Sequence, residues 1–431
     1  MAVTYNAFGW NSNYGGSSSG IQSTSTIASS IGTLKEKELR VGAPVIAVAD
    51  GWARLESCVT RGDGREELFY YEVPEERKDW LAQSADPFLA SLAVLAAPMR
   101  ESRVEVEGGC PELAEGMRIA LAWLGHWWPD WYGEPTEIRV LDTESTRPVS
   151  QAKRVAGSFL SGGVDSLATL RCNQLDLSPS HPSRIRACIF VNRYVGSSDT
   201  TSAYRRSVVT DREPELASFA KAVNVDFVPV RTNIMAAVGP MATPAWSRAQ
   251  HAAVYASAAH ALGAHIDRVH IASTHQVGHL QPWGSHPLID PYLSSGYVRL
   301  IHNGVRFDRS EKTAIVGDWP EAMDILNVCT GDTDGRGGRG CGVCEKCVRT
   351  AATLIACGNA DVATHWRGSP LTPNSIYSLQ VTRAGTARFW SKIAVGLQAS
   401  GSPELAQAAR TLVKRYQRRA VVRRIARPFR R

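Results

Sequence analysis

Two groups of residues in this chain have the types and spacing to do chemistry. The first is Ser161-Gly162-Gly163-Val164-Asp165-Ser166. An apolar run, Val155 to Leu160, leads into it, and a helical pattern, Leu167 to Leu170, follows. This order reads as a strand, a tight turn and a helix start. Glycine admits positive φ and lets a ligand approach the backbone closely. The first-turn N–H groups of a helix lack intrahelical partners, so they and the helix dipole favour an anion there. Ser161 and Ser166 add hydroxyl donors. Asp165 would repel a phosphate unless Mg²⁺ bridged the two. No Gly-Lys-Ser/Thr follows, so the loop is not of the Walker type.

The second group is Cys329, Cys341, Cys344 and Cys347. Two overlapping Cys-x-x-Cys steps and one upstream cysteine supply four thiolates, enough for a closed tetrahedral Zn²⁺ site of structural character. An iron–sulfur cluster or a persulfide-bearing cysteine are the rival uses of the same thiols. Five glycines between Gly331 and Gly340 let that loop fold back. Cys357 reads as packing in the following helix. A third segment, Pro282 to Pro291, brings Ser285, His286 and Asp290 together. Hydroxyl, imidazole and carboxylate at that spacing suit a substrate-orienting wall. A proline-fixed structural loop is the alternative.

Together the motifs resemble the ATP pyrophosphatase (PP-loop) superfamily. The glycine loop, followed about 160 residues later by the cysteine set, is similar to the 7-cyano-7-deazaguanine synthase family, of which this chain looks like a diverged relative. The resemblance implies an adenine nucleotide alpha hydrolase-like, Rossmann-like domain. It further implies ATP bound at Ser161, Gly162, Gly163, Val164, Asp165 and Ser166, with Mg²⁺ at Asp165 and Zn²⁺ on the four cysteines. The reaction it implies is adenylylation of a carboxylate, releasing pyrophosphate and AMP, for amide or nitrile formation. Lys312, in Arg309-Ser310-Glu311-Lys312, matches the family's lysine-bearing helix and is the candidate for neutralising the α-phosphate. The partners would be a carboxylate-bearing small molecule and an amine or protein acceptor. A tRNA-modifying sulfurtransferase and a non-catalytic ATP-binding protein are the competing functions.

These residues need a scaffold. Between about 154 and 356 strand-like runs alternate with helical ones: Ala187–Val191, Pro214–Val223, Val225–Val230, Arg248–Leu262 and Arg268–Ala272. Such alternation predicts an α/β fold with a parallel sheet covered by helices. Ligands then sit past the carboxyl ends of the strands. Ser161–Ser166, Asn192–Thr200, Arg231–Asn233 and Ser273–His275 should therefore line one crevice. The division expected is a disordered Ser/Gly-rich tail at 1–40, an N-terminal α+β domain at 41–150, the PP-loop domain with its zinc site at 151–360, a helical region at 361–411 and a basic tail at 412–431. Within the α+β domain, Pro87–Ala97 should be a helix ending near Pro98. Trp123, Trp127, Trp128 and Trp131 read as core or interface material.

Charge narrows the partners. The chain carries +7 overall, but nine cations lie between Lys414 and Arg431 with no acid among them. Removing those nine from the 48 basic residues leaves 39 against 41 acidic ones. A near-neutral body does not suit an RNA-coating enzyme. The tail itself, as a basic amphipathic helix, suits an anionic membrane or nucleic acid. No run of eighteen apolar residues and no secretory signal are seen, and clustered thiols suit a reducing cytosol, so a cytoplasmic location is expected.

Overall fold

Apolar strands alternating with helices build the part of the sheet that carries the site. The structure, a computed structural model, describes residues 37–141, 153–192, 212–241, 246–329 and 340–426. The strands are β1 (Glu38–Val41), β2 (Val45–Ala49), β3 (Trp52–Thr60), β4 (Glu66–Pro74), β5 (Arg103–Glu107), β6 (Glu137–Leu141), β7 (Val155–Phe159), β8 (Ile185–Asn192), β9 (Asp226–Thr232), β10 (Ile266–Ala272) and β11 (Arg299–Asn303). The longer helices are α1 (Asp86–Met99), α2 (Pro111–Trp127), α3 (Val164–Asp176), α4 (Glu213–Ala222), α5 (His251–Ala261), α6 (Arg309–Gly317), α7 (Glu345–Ala356), α8 (Ala384–Ala399) and α9 (Pro403–Ala426). The fold is α/β, with a largely parallel mixed sheet.

Strands β11-β10-β7-β8-β9 lie side by side and all run parallel. Counted from β7, this is the order 5-4-1-2-3. The chain leaves β7 towards β8 on one side, then crosses back to place β10 on the other. Connections diverge there to opposite faces of the sheet and open a crevice at the carboxyl end of β7. The residues that follow β7 are the Ser161–Ser166 loop.

The expected break near residue 150 is not a break in packing. Antiparallel pairing of β9 with β4, Tyr71 opposite Thr232 and Glu72 opposite Arg231, splices the N-terminal strands onto the parallel ones. One 11-stranded sheet results, and Glu36–Arg431 forms one compact unit. Side chains secure the splice. The Arg231 guanidinium lies 3.7 Å over the Trp52 ring. Asn233 accepts from Tyr70 N–H at 3.0 Å and donates to Leu68 O at 2.8 Å, extending the ladder past β9. Arg231–Asn233 therefore serves the sheet and does not line the crevice. Of Asn192–Thr200, all but Asn192 lies outside the described residues.

Helix α1 explains the merger. Its residues from Asp86 to Ala96 are all buried, and a helix apolar on every side must be covered on every side. It packs in one core with the strands of the N-terminal half, with α2 and with alanine-rich α5. A second core on the opposite face gathers α3, α4, α7, α8 and the first half of α9. The four tryptophans Trp123, Trp127, Trp128 and Trp131 pack, half-buried, against the first core.

Helix α1 ends near Pro98 as expected, one residue past it at Met99, so the proline lies inside the last turn. Proline has no N–H for the carbonyl four residues back. That carbonyl is Val94 O, and the buried Tyr132 hydroxyl donates to it at 3.1 Å. At the other end of the chain the basic tail is partly built into the fold. Leu412 and Val413 are buried, and Arg415 donates to Tyr377 O and Leu379 O. Lys414, Arg418 and Arg419 are exposed. Residues 427–431, and the Ser/Gly-rich stretch with Tyr5, Phe8, Trp10 and Tyr14, lie outside the described residues. Among the described residues no helix is long and apolar enough to cross a membrane.

Candidate functional site

The glycine loop has the backbone its sequence requires. Gly162 adopts φ +70°, and a Cβ there would come within 2.6 Å of the Arg212 guanidinium and 2.9 Å of Ile325 O. Only glycine meets both demands. Gly163 is extended and precedes the first residue of α3, Val164. The serines close the turn on itself: Ser161 Oγ lies 3.2 Å from Ser166 Oγ and accepts from Gly163 N–H at 3.3 Å, while Ser166 Oγ donates to Gly163 O at 3.0 Å.

Asp165, in the first turn of α3, is answered from α6. Arg309 Nη1 stands 2.6 Å from Asp165 Oδ2, and Lys312 Nζ 3.5 Å from Oδ1. An i, i+3 spacing puts both cations on one helix face. Asp308 holds that helix start in place. It accepts from Ser310 and Glu311 N–H in a capping box, and Lys392 pairs with its other oxygen at 2.6 Å. Lys312 is only 2% exposed and donates to Ser273 O. Burial pulls its pKa below the ordinary lysine value, and Asp165 acts in the opposite direction. Arg349 of α7 is also lowered by burial, and it feels both Asp165 and the Cys344 thiol. Asp165 thus faces Arg309 and Lys312, with Arg349 nearby and itself paired to Glu345 at 3.2 Å, a local excess of positive charge suited to a polyanion.

A cavity of about 480 Å³ opens from this loop. Ser161, Asp165, Ser166, Arg212 and Lys346 line its polar end. Trp246, Tyr255 and Trp283 line another part, with Trp246 edge-on to Tyr255 at 5.8 Å. An anion with a flat ring attached matches both ends.

The four cysteines converge as their spacing predicts. All four Sγ atoms lie within 4.8 Å of one another. A regular tetrahedron with metal–sulfur bonds of about 2.3 Å has S···S edges of about 3.8 Å, so the cluster could hold a metal ion such as zinc. Gly340 and Gly342 take positive φ, +86° and +71°. Backbone N–H groups point at sulfur: Cys341 N–H to Cys329 Sγ and Cys344 N–H to Cys341 Sγ, each 3.3 Å. Hydrogen bonding from Cys347 holds the Cys344 thiol well below the ordinary thiol range. Arg367 braces the knuckle by donating to Gly342 O at 2.9 Å. Cys329 also lines the cavity, so the cysteine cluster forms part of its wall.

Ser285, His286 and Asp290 take different places. Ser285 lines the cavity and donates to Asp290 Oδ2 at 2.6 Å. Asp290 is fully buried and also accepts from His286 N–H at 2.9 Å and from His302 Nδ1 at 2.7 Å. It therefore positions others instead of touching a ligand. His286 packs edge-on to Trp127, 4.9 Å between centroids, and does not line the cavity. The histidine that faces this network is His302, and its Nε2 is buried without a hydrogen-bond partner. In parallel strands, register partners share a face. His302 is the partner of Ile271, a cavity residue.

No family model, no curated protein and no solved structure matches this chain. The functional reading accordingly rests on the residues themselves. Sequence reasoning missed Arg212 and His251, which line the cavity only through folding, and His302, which reaches Asp290 without being among the cavity's lining residues. Arg309 had a signal, its i, i+3 spacing from Lys312.

Proposed function

We propose that this chain is a PP-loop ATP-dependent ligase that adenylylates a carboxylate and releases pyrophosphate. The observation that carries the reading is Asp165 held between Arg309 and Lys312 at the glycine loop of the sheet's switch point, beside a cavity with an aromatic wall. The loop's N–H groups and serine hydroxyls suit the β- and γ-phosphates. Lys312 suits the α-phosphate, where negative charge builds as the substrate carboxylate oxygen attacks phosphorus and the bond to the β-phosphate oxygen breaks. The products of that step are acyl-adenylate and pyrophosphate. An amine then adds at the acyl carbon, loses a proton and expels AMP, leaving an amide.

A Mg²⁺ ion fits beside Asp165, because that ion takes one or two protein carboxylates and fills its remaining positions with phosphate oxygens and water. When bound it would neutralise the leaving pyrophosphate. The cysteine set has four thiolates and no open position, so its role is to hold the wall in shape. Closure of that set also weighs against a sulfur-donating cysteine.

The test is ATP–pyrophosphate exchange against a panel of carboxylates, 7-carboxy-7-deazaguanine included. Carboxylate-dependent exchange with AMP as the nucleotide product is expected. ADP and phosphate as substrate-dependent products would overturn the proposal.

A further inference from the structure

The segment Ile325–Cys329 is tied to the glycine loop at one end and to the cysteine cluster at the other. Asn327 N–H donates to Gly162 O at 2.9 Å. Two residues on, Cys329 N–H donates to Asn327 Oδ1 at 3.0 Å. Arg212 clamps the same two strands of chain together, with Nη1 on Ser161 O at 3.1 Å and Nη2 on Ile325 O at 2.7 Å. At the far end, Cys329 Sγ stands 3.5 Å from Cys347 Sγ. Gly340 closes over this pair so tightly that a Cβ would sit 3.0 Å from Cys347 Sγ and 3.3 Å from Cys329 Sγ. Asn327, Val328 and Cys329 line the same cavity as Ser161, Asp165 and Ser166.

We propose that Asn327 is a positioning residue that couples metal binding at Cys329, Cys341, Cys344 and Cys347 to binding of the pyrophosphate moiety of ATP at Ser161–Ser166. The proposal rests on the reading of that loop as a pyrophosphate site. Without a metal ion the cluster is held only by weak sulfur contacts, such as Cys347 Sγ to Cys329 Sγ at 3.5 Å. Cys329 is the member contributed by the tether, whereas Cys341, Cys344 and Cys347 lie at or just before the start of α7. Displacement of Cys329 pulls on the Asn327 side chain, whose own backbone N–H fixes the glycine that shapes the loop. A metal ion, taking the place of the thiol protons, draws all four sulfurs to bonds of about 2.3 Å and seats the tether. Such coupling is reciprocal: nucleotide must tighten metal binding by the factor by which metal tightens nucleotide binding.

The experiment uses the full chain, zinc, and the magnesium complex of α,β-methylene-ATP, which cannot be cleaved at the bond in question. Zinc affinity is measured by competition with a chromophoric chelator, with and without the analogue. Analogue affinity is measured with and without zinc. Each ligand should raise the affinity of the other by the same factor, about tenfold within the usual span of roughly 5–150-fold. Global unfolding on metal loss would couple any ligand, so Asn327→Ala isolates the local path. That variant should keep one zinc per chain by elemental analysis yet bind the analogue about tenfold more weakly. Asn327→Ser, whose hydroxyl can accept from the N–H two residues on, should recover part of the loss.

Independent affinities in the wild type overturn the proposal. So does an Asn327→Ala protein that binds the analogue normally, or one that merely loses its zinc. Should Asn327→Ala fail to fold, Asn327→Ser decides the matter: with one zinc per chain it should bind the analogue more weakly than the wild type, and wild-type affinity overturns the proposal. If neither the analogue nor inorganic pyrophosphate binds with or without zinc, the pyrophosphate reading itself falls, a result distinct from binding without coupling.

Discussion

Arg309 Nη1 and Asp165 Oδ2 are 2.6 Å apart across 144 positions of sequence, and this pair joins the start of α6 to the glycine loop. The same contact means that removing the acid leaves Arg309 and Lys312 facing each other without a counter-charge. Asp165→Asn should therefore cut carboxylate-dependent AMP formation about a hundredfold, of the order of 3 kcal/mol in the barrier. Binding of magnesium-free ATP should not weaken, since a negative charge has been removed. Steady-state kinetics paired with equilibrium nucleotide binding separate the two effects. An unchanged rate would remove Asp165 from the chemistry.

Lys312→Met keeps the buried stem and deletes the charge. AMP formation should fall about a hundredfold. Burial works against the charged lysine, while its loss deprives Ser273 O and Asp165 of a donor, so the diagnostic quantity is the pH dependence of stability. The sign follows from that lowered pKa: the folded state binds fewer protons than the unfolded one as pH climbs from the folded value towards the ordinary lysine value of 10.5. Wild-type stability therefore gains with pH in that window, and the variant lacks the gain. Urea titrations between pH 8 and about 10 measure it. Equal slopes for the two proteins would be the contrary result.

His270 makes acid costly. Burial, then Arg268, lowers its pKa from 6.5 to about 4. Below 6.5 the unfolded chain takes up a proton that the folded one refuses. Stability is thus lost as pH falls from 6.5 towards 4, on the order of 3 kcal/mol from this group. Asn303 donates to His270 Nδ1 at 2.9 Å, and His270→Asn offers an oxygen in its place. The variant should show a flatter dependence of unfolding free energy on pH across that interval. An unchanged slope would contradict the assignment.

Cys344→Ser opens the metal shell. About one zinc per chain is expected in the wild type, and the variant should lose it together with solubility or cooperative unfolding. Elemental analysis and thermal melts give the answer. Iron with inorganic sulfide in the wild type, or a metal-free protein that melts normally, would be the opposing finding.

Tyr132→Phe removes the donor that stands in for the N–H absent at Pro98. Val94 O then remains buried and unpaired, which costs about 1–3 kcal/mol. Replacing Pro98 by Ala at the same time should restore most of the loss, because alanine supplies the N–H. Chemical denaturation of the single and double variants reads this, and a neutral single variant would rule the account out.

Local chemistry made much of this protein legible in advance. Two glycines between an apolar run and a helical one specify a strand-turn-helix loop, and four cysteines at knuckle spacing specify a converging thiolate cluster, because both depend on residues close in sequence. The strands β7 to β10 were visible for the same reason: buried parallel strands are short apolar runs. Strand β3 was missed although Trp52–Thr60 alternates buried and more exposed positions, the usual mark of a half-buried strand, because small Ala53 and polar Ser57 in its buried row weaken the apolar half of the pattern. Its identity comes from pairing with β4. What only the tertiary structure decided is contact between distant parts: β4 against β9, which turns two expected domains into one sheet; Arg309 against Asp165; His302 against Asp290; and Asn327 between loop and cysteine cluster. Each is set by which surfaces must be buried together, above all α1, buried from Asp86 to Ala96, and a one-dimensional pattern records that a face is apolar without naming what will cover it.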